Sequence, residues 1–211
     1  YVRMARIYDE QLGRPDDAVS SYKRVLELDP ASQTALSALD ALFTRQRMWS
    51  DLAENLEAQL ALAADDEQQI ALMLRLAALR ETEMQQIEQA IEGYRSVLER
   101  DIGSQQALGA LERLGAEPAH ELVIADLLEP LYRQIGDYQK LIGAHEVQVR
   151  RSEDPSRRVE LLHQIAQLHE DAAADLNNAF ATLARALKED PANDQTQTQI
   201  DRVARATGRV E

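Results

Sequence analysis

The chain has 211 residues, 45% of them hydrophobic, which is enough for one or two domains with a continuous apolar core. Its formal net charge of −14 opposes binding to nucleic acid or anionic membranes, because such binding uses a basic face. The chain has no cysteine, which excludes disulfides and thiolate metal sites and fits either the cytoplasm or the periplasm, with the cytoplasm slightly favoured. No run of about 18 uncharged apolar residues is present, so we expect no membrane insertion.

Apolar residues recur with helical spacing along the chain. The first clear stripe predicts a helix over 16–28, which the Asp29-Pro30 dipeptide ends. A second helix is expected from Ser32, a favourable capping residue, through Phe43. The same spacing predicts further helices over about 48–63, 66–83, 86–101, 104–114, 119–135, 137–152, 156–173, 176–189 and 193–207. No segment alternates with period two, so we predict an all-α fold of about twelve helices, with short linkers that make neighbours antiparallel.

The chain repeats itself at two offsets. An offset of 72 aligns 3–42 with 75–114 without a gap and gives 15 identical residues in 40 positions. An offset of 89 aligns 45–108 with 134–197. Self-similarity of this kind is typical of stacked helical units, each of which buries its apolar face against its neighbours.

The repeated residues resemble those of the tetratricopeptide repeat (TPR) family. In one unit, Gly13, Ala18, Tyr22, Val25 and Pro30 match the glycine, alanine, aromatic, small and proline positions of the family. Three further units show parts of the same pattern: Ala90, Tyr94 and Val97; Tyr132, Gly136, Asp137 and Tyr138; and Ala179, Leu183, Ala186 and Pro191. Gln85 and Ala174 depart from the pattern at the turn glycine. The resemblance implies a right-handed α-solenoid of antiparallel helix pairs.

The two offsets differ by one helix length, and the difference falls at 115–131. We interpret this segment as an insertion that gives an irregular break near 115–118. The expected blocks are an N-terminal one over 1–114 and a C-terminal one over 119–211. Pro130 lies inside a predicted helix, where it removes one backbone hydrogen bond, so a kink is expected there.

The sequence carries no recognisable catalytic motif. It has no glycine-rich phosphate loop and no nucleophile elbow. The four histidines do not pair at helical spacing, so we expect partly exposed polar histidines, no metal site and no cofactor.

The TPR resemblance also implies a concave groove lined by the first helix of each pair. Its expected lining residues are Arg6, Asp9, Ser37, Thr44, Leu74, Glu81, Asp126, Arg133, His163, Gln167 and Glu170. An acid recurs at Asp9, Glu81 and Glu170, which we call the acidic ladder. It has two interpretations: it receives a basic peptide, or it forms ion pairs between repeats, for example with Arg80 or Arg133.

These patterns together predict a noncatalytic TPR-like scaffold, a segment of a larger bacterial protein. It would bind a partner protein or peptide, a basic one on the ladder interpretation, in the concave groove. The alternative is a regulatory or spacer segment of a larger enzyme or envelope protein, with no ligand of its own.

Overall fold

The computed structural model describes residues 1–208, and it is helical without strands over that range. Its twelve α-helices are α1 (Val2–Arg6), α2 (Pro15–Leu28), α3 (Gln33–Gln46), α4 (Trp49–Leu62), α5 (Asp66–Thr82), α6 (Ile87–Arg100), α7 (Gln105–Gly115), α8 (Glu121–Ile135), α9 (Tyr138–Arg151), α10 (Pro155–Asp171), α11 (Leu176–Glu189) and α12 (Asp194–Ala206). A π-helical turn over Ile7–Gln11 directly extends α1. The prediction of an all-α fold of about twelve helices is therefore confirmed for the described residues. Helix α8 continues through Pro130 to its end.

The chain divides into two compact units, Tyr1–Ala110 (unit 1) and Leu111–Glu211 (unit 2), with the boundary inside α7. The blocks expected from the sequence, 1–114 and 119–211, stay a prediction. Limited proteolysis should cut first near 115–118, because the weakest interface in a repeat array sets where it opens. Equal protection of this turn and of the flanking helices would contradict the prediction.

Small residues allow close contact between helices in unit 1. Ala5, Ala18, Ala77 and Ala90 are fully buried where consecutive helices pack. One close approach is at Gly93 of α6, where an added Cβ atom would lie 2.9 Å from the Cβ atom of Ala77 in α5. A larger side chain at such a point must push the two helices apart.

Unit 2 is built in the same way, each helix from α8 to α12 packing on the next. One apolar cluster joins α9, α10 and α11 through Val149, Leu161, Leu162, Ile165 and Ala186. A second cluster joins α10, α11 and α12 through Ala166, Ala179, Leu183 and Val203. The apolar stripes of the sequence therefore form the core.

One backbone turn recurs three times between paired helices. Its central residues Gly13, Gln85 and Ala174 have φ angles of 59°, 56° and 50°, in the left-handed region. In each turn, the backbone amides of the residues before and after the central one donate to carbonyl oxygens of the preceding helix. The bonds are Leu12 to Ile7 and Arg14 to Tyr8 in the first turn, Met84 to Leu79 and Gln86 to Arg80 in the second, and Ala173 to Leu168 and Asp175 to His169 in the third. The residues that replace the turn glycine thus keep its conformation, which is unfavourable for a residue with a Cβ atom.

The 89-residue offset reproduces helix bounds as well as residues. Trp49–Leu62 corresponds to Tyr138–Arg151, and Ile87–Arg100 corresponds to Leu176–Glu189, without a shift at either end. Helix α7 occupies two positions of the repeat, that of α3 by the 72-residue offset and that of α2 by the 89-residue offset.

Candidate functional site

The outer side of α3 carries a stripe of small exposed residues. Ser37, Ala41 and Thr44 follow each other at intervals of four and three residues and so lie on one side of the helix. An ion pair borders the stripe on each side. Arg45 pairs with Asp9 of the π-helical turn, and Arg75 of α5 donates from Nη1 and Nη2 to the two carboxylate oxygens of Asp40, both at 2.6 Å.

In these two pairs the arginine is the more exposed partner. The Arg45 side chain is 59% exposed against 24% for Asp9, and the Arg75 side chain is 46% exposed against 15% for Asp40. Asp40 also accepts a hydrogen bond from Nε2 of Gln59 at 3.2 Å. The charge that this side of unit 1 presents to solvent is therefore that of the guanidinium groups.

The acidic ladder contacts other helices of the protein. Asp9 binds Arg45, and Glu170, whose side chain is only 10% exposed, binds Arg202 of α12 at 2.7 Å. Glu81 accepts a hydrogen bond at 2.7 Å from the hydroxyl of Tyr94 on α6.

Asp9 and Glu170 thus form ion pairs with more distant helices, of the kind that the second interpretation describes, but with other partners than those named. The contact of Glu81 with Tyr94 is a hydrogen bond within one helix pair. Arg80 pairs with Glu57 of α4, and Arg133 pairs with Glu129 of its own helix. Recognition of a basic peptide by the ladder stays a prediction.

The other predicted groove residues fall in both units. In unit 1, Arg6, Ser37 and Thr44 are exposed and Leu74 is half-buried. In unit 2, Asp126, Arg133 and Gln167 are exposed, and His163 is half-buried with its Nε2 atom 2.7 Å from Oγ1 of Thr196. The structure thus places Ser37 and Thr44 on α3, the helix that also carries Arg45, and His163 beside α12.

A buried polar network lies between α8 and α9. Nε2 of Gln148 donates to Asp126 at 2.8 Å and to Glu129 at 3.0 Å, which leaves Oε1 of Gln148 to accept from Nδ1 of His145 at 2.8 Å. His145 is 1% exposed, so the expectation of partly exposed histidines is wrong for it. Burial alone would raise the pKa of Glu129, but Gln148 and the charges of His145 and Arg133 lower it overall.

The sequence contained one signal for this network. The 89-residue offset aligns Gln59 with Gln148 and Asp40 with Glu129, so a glutamine holds an acid at the same place in both units. His145 stands where unit 1 has Leu56, a buried core position. Only its alignment with that leucine indicated burial.

Two shallow clefts lie elsewhere on the units. The cleft in unit 1 has a volume of about 390 Å³ and is lined by Leu60, Met73, Leu76, Ala77, Arg80, Gln89, Glu92, Gly93 and Ser96. The cleft in unit 2 has about 280 Å³ and includes Ile124, Leu128, Tyr132, Gly143 and Val147. Over residues 1–208, no three His, Asp or Glu side chains converge as metal ligands, and no helix is long and apolar enough to cross a membrane.

Comparison with known proteins gives two family matches. Models described as tetratricopeptide repeat match residues 1–32 and 125–159. No curated protein matches the sequence.

Similar solved structures are TPR proteins of low identity. TTC0263 of Thermus thermophilus has 17% identity, 96% of each chain covered and a TM-score of 0.32. YrrB, described as having an unusual peptide-binding site, has 13% identity, 94% of this chain and 89% of that chain covered, and a TM-score of 0.35. The TPR2AB domain of yeast Sti1, in a complex with pHSP90, has 16% identity, 97% of this chain and 82% of that chain covered, and a TM-score of 0.37.

Proposed function

Because the chain belongs to the tetratricopeptide repeat family, we propose that it is a noncatalytic scaffold that binds a partner protein on the outer side of α1, α3 and α5. The observation that carries the proposal is the stripe of Ser37, Ala41 and Thr44 between two exposed arginines. Small side chains let the backbone of an extended peptide come close to α3. Arginines on both sides then supply hydrogen-bond donors along its length.

The arginines have donors to spare. A guanidinium group carries five N–H donors, and Arg75 uses two of its atoms on Asp40 while Arg45 uses one on Asp9. The remaining donors suit carbonyl oxygens and carboxylates, which arginine binds with defined geometry.

These contacts favour a partner segment that contains Asp or Glu and presents backbone carbonyls. A basic partner is expected only on the first interpretation of the acidic ladder, in which its carboxylates are open to a ligand. Asp9 and Glu170 are largely neutralised by Arg45 and Arg202, and each is the less exposed member of its pair. An acceptor-rich peptide therefore fits unit 1 better than a basic one.

A random peptide library selected on the immobilised 211-residue chain tests the proposal. Enriched peptides should contain Asp or Glu, and fluorescence anisotropy should show at least tenfold weaker binding to Ala41→Trp, which fills the stripe. Ala61→Trp is the matched control, because Ala61 is exposed on α4 and away from the stripe. Arg75→Gln should also weaken binding, and the loss of affinity should be larger at low salt than at high salt, because salt screens exposed charges.

Two outcomes would contradict the proposal. Enrichment of Lys- and Arg-rich peptides, with binding lost in Asp9→Asn, would favour the basic partner. No enrichment at all would favour the spacer alternative, in which the ion pairs only hold the repeats together.

A further inference from the structure

The cleft of unit 1 is lined by residues of α4, α5 and α6. Leu60, Met73 and Leu76 give it apolar walls. The 89-residue offset aligns this cleft with the space between α9 and α11 in unit 2. Unit 2 therefore shows what the same place looks like when a side chain of the protein fills it.

In unit 2, an arginine bridges α9 and α11. Arg185 of α11 donates from Nη1 and Nη2 to the two carboxylate oxygens of Glu146 on α9, at 2.6 and 2.7 Å. The pKa of Glu146 lies below its usual value chiefly because of this hydrogen bond; burial opposes the shift, and the charge of His169 on α10 supports it. The acid at this place thus interacts with a basic side chain of α11 and with one of α10.

Unit 1 keeps the acid but lacks the arginine. Glu57 of α4 is equivalent to Glu146, and Ser96 of α6 stands where unit 2 has Arg185. The 72-residue offset places Arg24 of α2 at that position too. Two of the three copies therefore have an arginine here, and α6 is the exception.

The cleft is the space beside two short residues of α6. Gly93 and Ser96 lie one turn apart on one side of the helix, and both line the cleft. At the position of Gly93, unit 2 has Thr182, which is buried. With an arginine one turn later, unit 2 fills this space from α11, whereas in unit 1 the space stays open.

Glu57 is able to receive a second cation. Arg80 of α5 donates to its Oε1 atom, but the Glu57 side chain is 52% exposed and that of Arg80 only 22%. Over residues 1–208, Oε2 of Glu57 has no hydrogen-bond donor. Glu92, whose pairing with Arg95 leaves it 65% exposed, adds a further acid at the rim. The charge that this cleft presents to solvent is therefore negative, opposite to the charge beside the stripe on α3.

We propose that this cleft is a docking site for an arginine side chain of a partner protein, which takes the place that Arg185 holds in unit 2. The guanidinium group of the partner binds Oε2 of Glu57, and its aliphatic stem packs on Met73 and Leu76. Lysine fits less well, because its ammonium group lacks the planar donors that match a carboxylate. None of the cleft residues belongs to the stripe on α3, so the proposal stands independently of the proposed function.

The probe for this proposal is N-acetylarginine amide, and its control is N-acetylcitrulline amide, which has nearly the same shape without the charge. Both are titrated at millimolar concentrations and constant ionic strength into the 211-residue chain, followed by amide NMR. The signals of Gly93 and Ser96 should move with the arginine probe only. Glu57→Gln should weaken binding at least fivefold, because it removes the charge that holds the guanidinium group. Glu54→Gln is the matched control, since Glu54 is exposed on the same helix and does not line the cleft.

Ser96→Arg tests the geometry without a ligand. The introduced side chain should occupy the cleft and abolish the response to the probe. A double-mutant cycle with Glu57→Gln, measured by urea denaturation, should show a favourable coupling between the two side chains. Ser20→Arg adds the same side chain at an exposed position of α2 and should leave probe binding unchanged.

Three results would overturn the proposal: signals of Gly93 and Ser96 that do not move, signals that move equally with both probes, and zero coupling between Ser96→Arg and Glu57→Gln. Sedimentation velocity addresses another source of the arginine. A concentration-dependent dimer that both Glu57→Gln and Ser96→Arg abolish would assign the cleft to an arginine of a second copy instead.

Discussion

Units 1 and 2 contain the same ion pair with its charges exchanged. In unit 1, Nζ of Lys23 on α2 lies 2.6 Å from Oδ1 of Asp51 on α4. In unit 2, Nζ of Lys140 on α9 lies 2.7 Å from Oε1 of Glu112 on α7. The 89-residue offset aligns Lys23 with Glu112 and Asp51 with Lys140. The repeat therefore preserves a pair of opposite charges at these two positions, although the position that carries the lysine differs between the units.

An aromatic ring accompanies the lysine in both units. Lys23 lies 5.5 Å from the ring centre of Phe43, and Lys140 lies 5.7 Å from that of Tyr132, the residue aligned with Phe43. Unit 2 adds a hydrogen bond at 2.9 Å from the Tyr132 hydroxyl to Glu112. Burial together with this bond raises the pKa of Tyr132, so the hydroxyl stays a donor at all ordinary pH values.

The units differ most at the acid that both hold with a glutamine. In unit 1, Asp40 binds Arg75 on another helix, whereas in unit 2, Glu129 binds Arg133 on its own helix. At the position of Arg75, unit 2 has Gln164. Unit 1 thus uses this acid to connect α3 and α5, and unit 2 uses it in the polar network between α8 and α9.

The largest expected effect tests the close packing that the units share. Ala90 in unit 1 and Ala179 in unit 2 are equivalent and fully buried. Replacing either by leucine should lower the free energy of unfolding by about 1–3 kcal/mol, because the core has no room for the added atoms. Urea denaturation measures the loss, and Ala58→Leu at an exposed position of α4 is the control. If Ala90→Leu costs no more than the control, Ala90 does not lie between closely packed helices.

The second prediction converts the ion pair of unit 1 into that of unit 2. Lys23→Glu should cost about 1 kcal/mol, because it loses an attraction and places two acids together. Adding Asp51→Lys should recover most of this loss, since it recreates the arrangement of Glu112 and Lys140. Urea denaturation of both single variants and the double variant gives the coupling free energy. A double variant as unstable as the sum of the single ones would show that the exchange is not compensatory.

The third prediction concerns the turn that recurs with and without glycine. Gln85→Gly and Ala174→Gly should each raise the free energy of unfolding by about 0.5–1 kcal/mol, because glycine accepts a positive φ without steric cost. Ala63→Gly is the control, since Ala63 has an ordinary φ of −71° and glycine only adds flexibility there. The melting temperature should therefore rise in Gln85→Gly and Ala174→Gly and fall in Ala63→Gly. A lower melting temperature for both Gln85→Gly and Ala174→Gly would contradict this account.

Much of the fold could be predicted from the sequence, because each helix follows from local spacing. The helices over 49–62 and 87–100 are shorter by one residue at each end than the helices predicted there. The partners of charged residues could not be predicted in the same way. Asp9 and Arg45 are far apart in sequence and meet only after two helices pack, which no single-helix pattern encodes. The buried state of His145 also depends on the helices that pack against α9, since the histidine is polar by itself.

The smallest expected effect concerns a histidine that has an apolar counterpart. His163 in unit 2 is equivalent to Leu74 in unit 1, and burial lowers its pKa below the usual value. The folded state therefore prefers the neutral imidazole. As the pH falls below about 6.5, the unfolded chain takes up the proton first, so the contribution of His163 to stability is complete above that pH and is lost below it.

His163→Leu should accordingly flatten the dependence of unfolding free energy on pH between pH 7.5 and 5.5. Thr196 can still donate to Oδ1 of Asn193, 3.0 Å away, so the variant leaves this buried hydroxyl with a partner. The reciprocal variant Leu74→His should steepen the same dependence from unit 1. Urea denaturation at the two pH values compares all three proteins. Equal slopes in wild type and His163→Leu would show that this histidine titrates alike in the folded and unfolded states, whatever its burial.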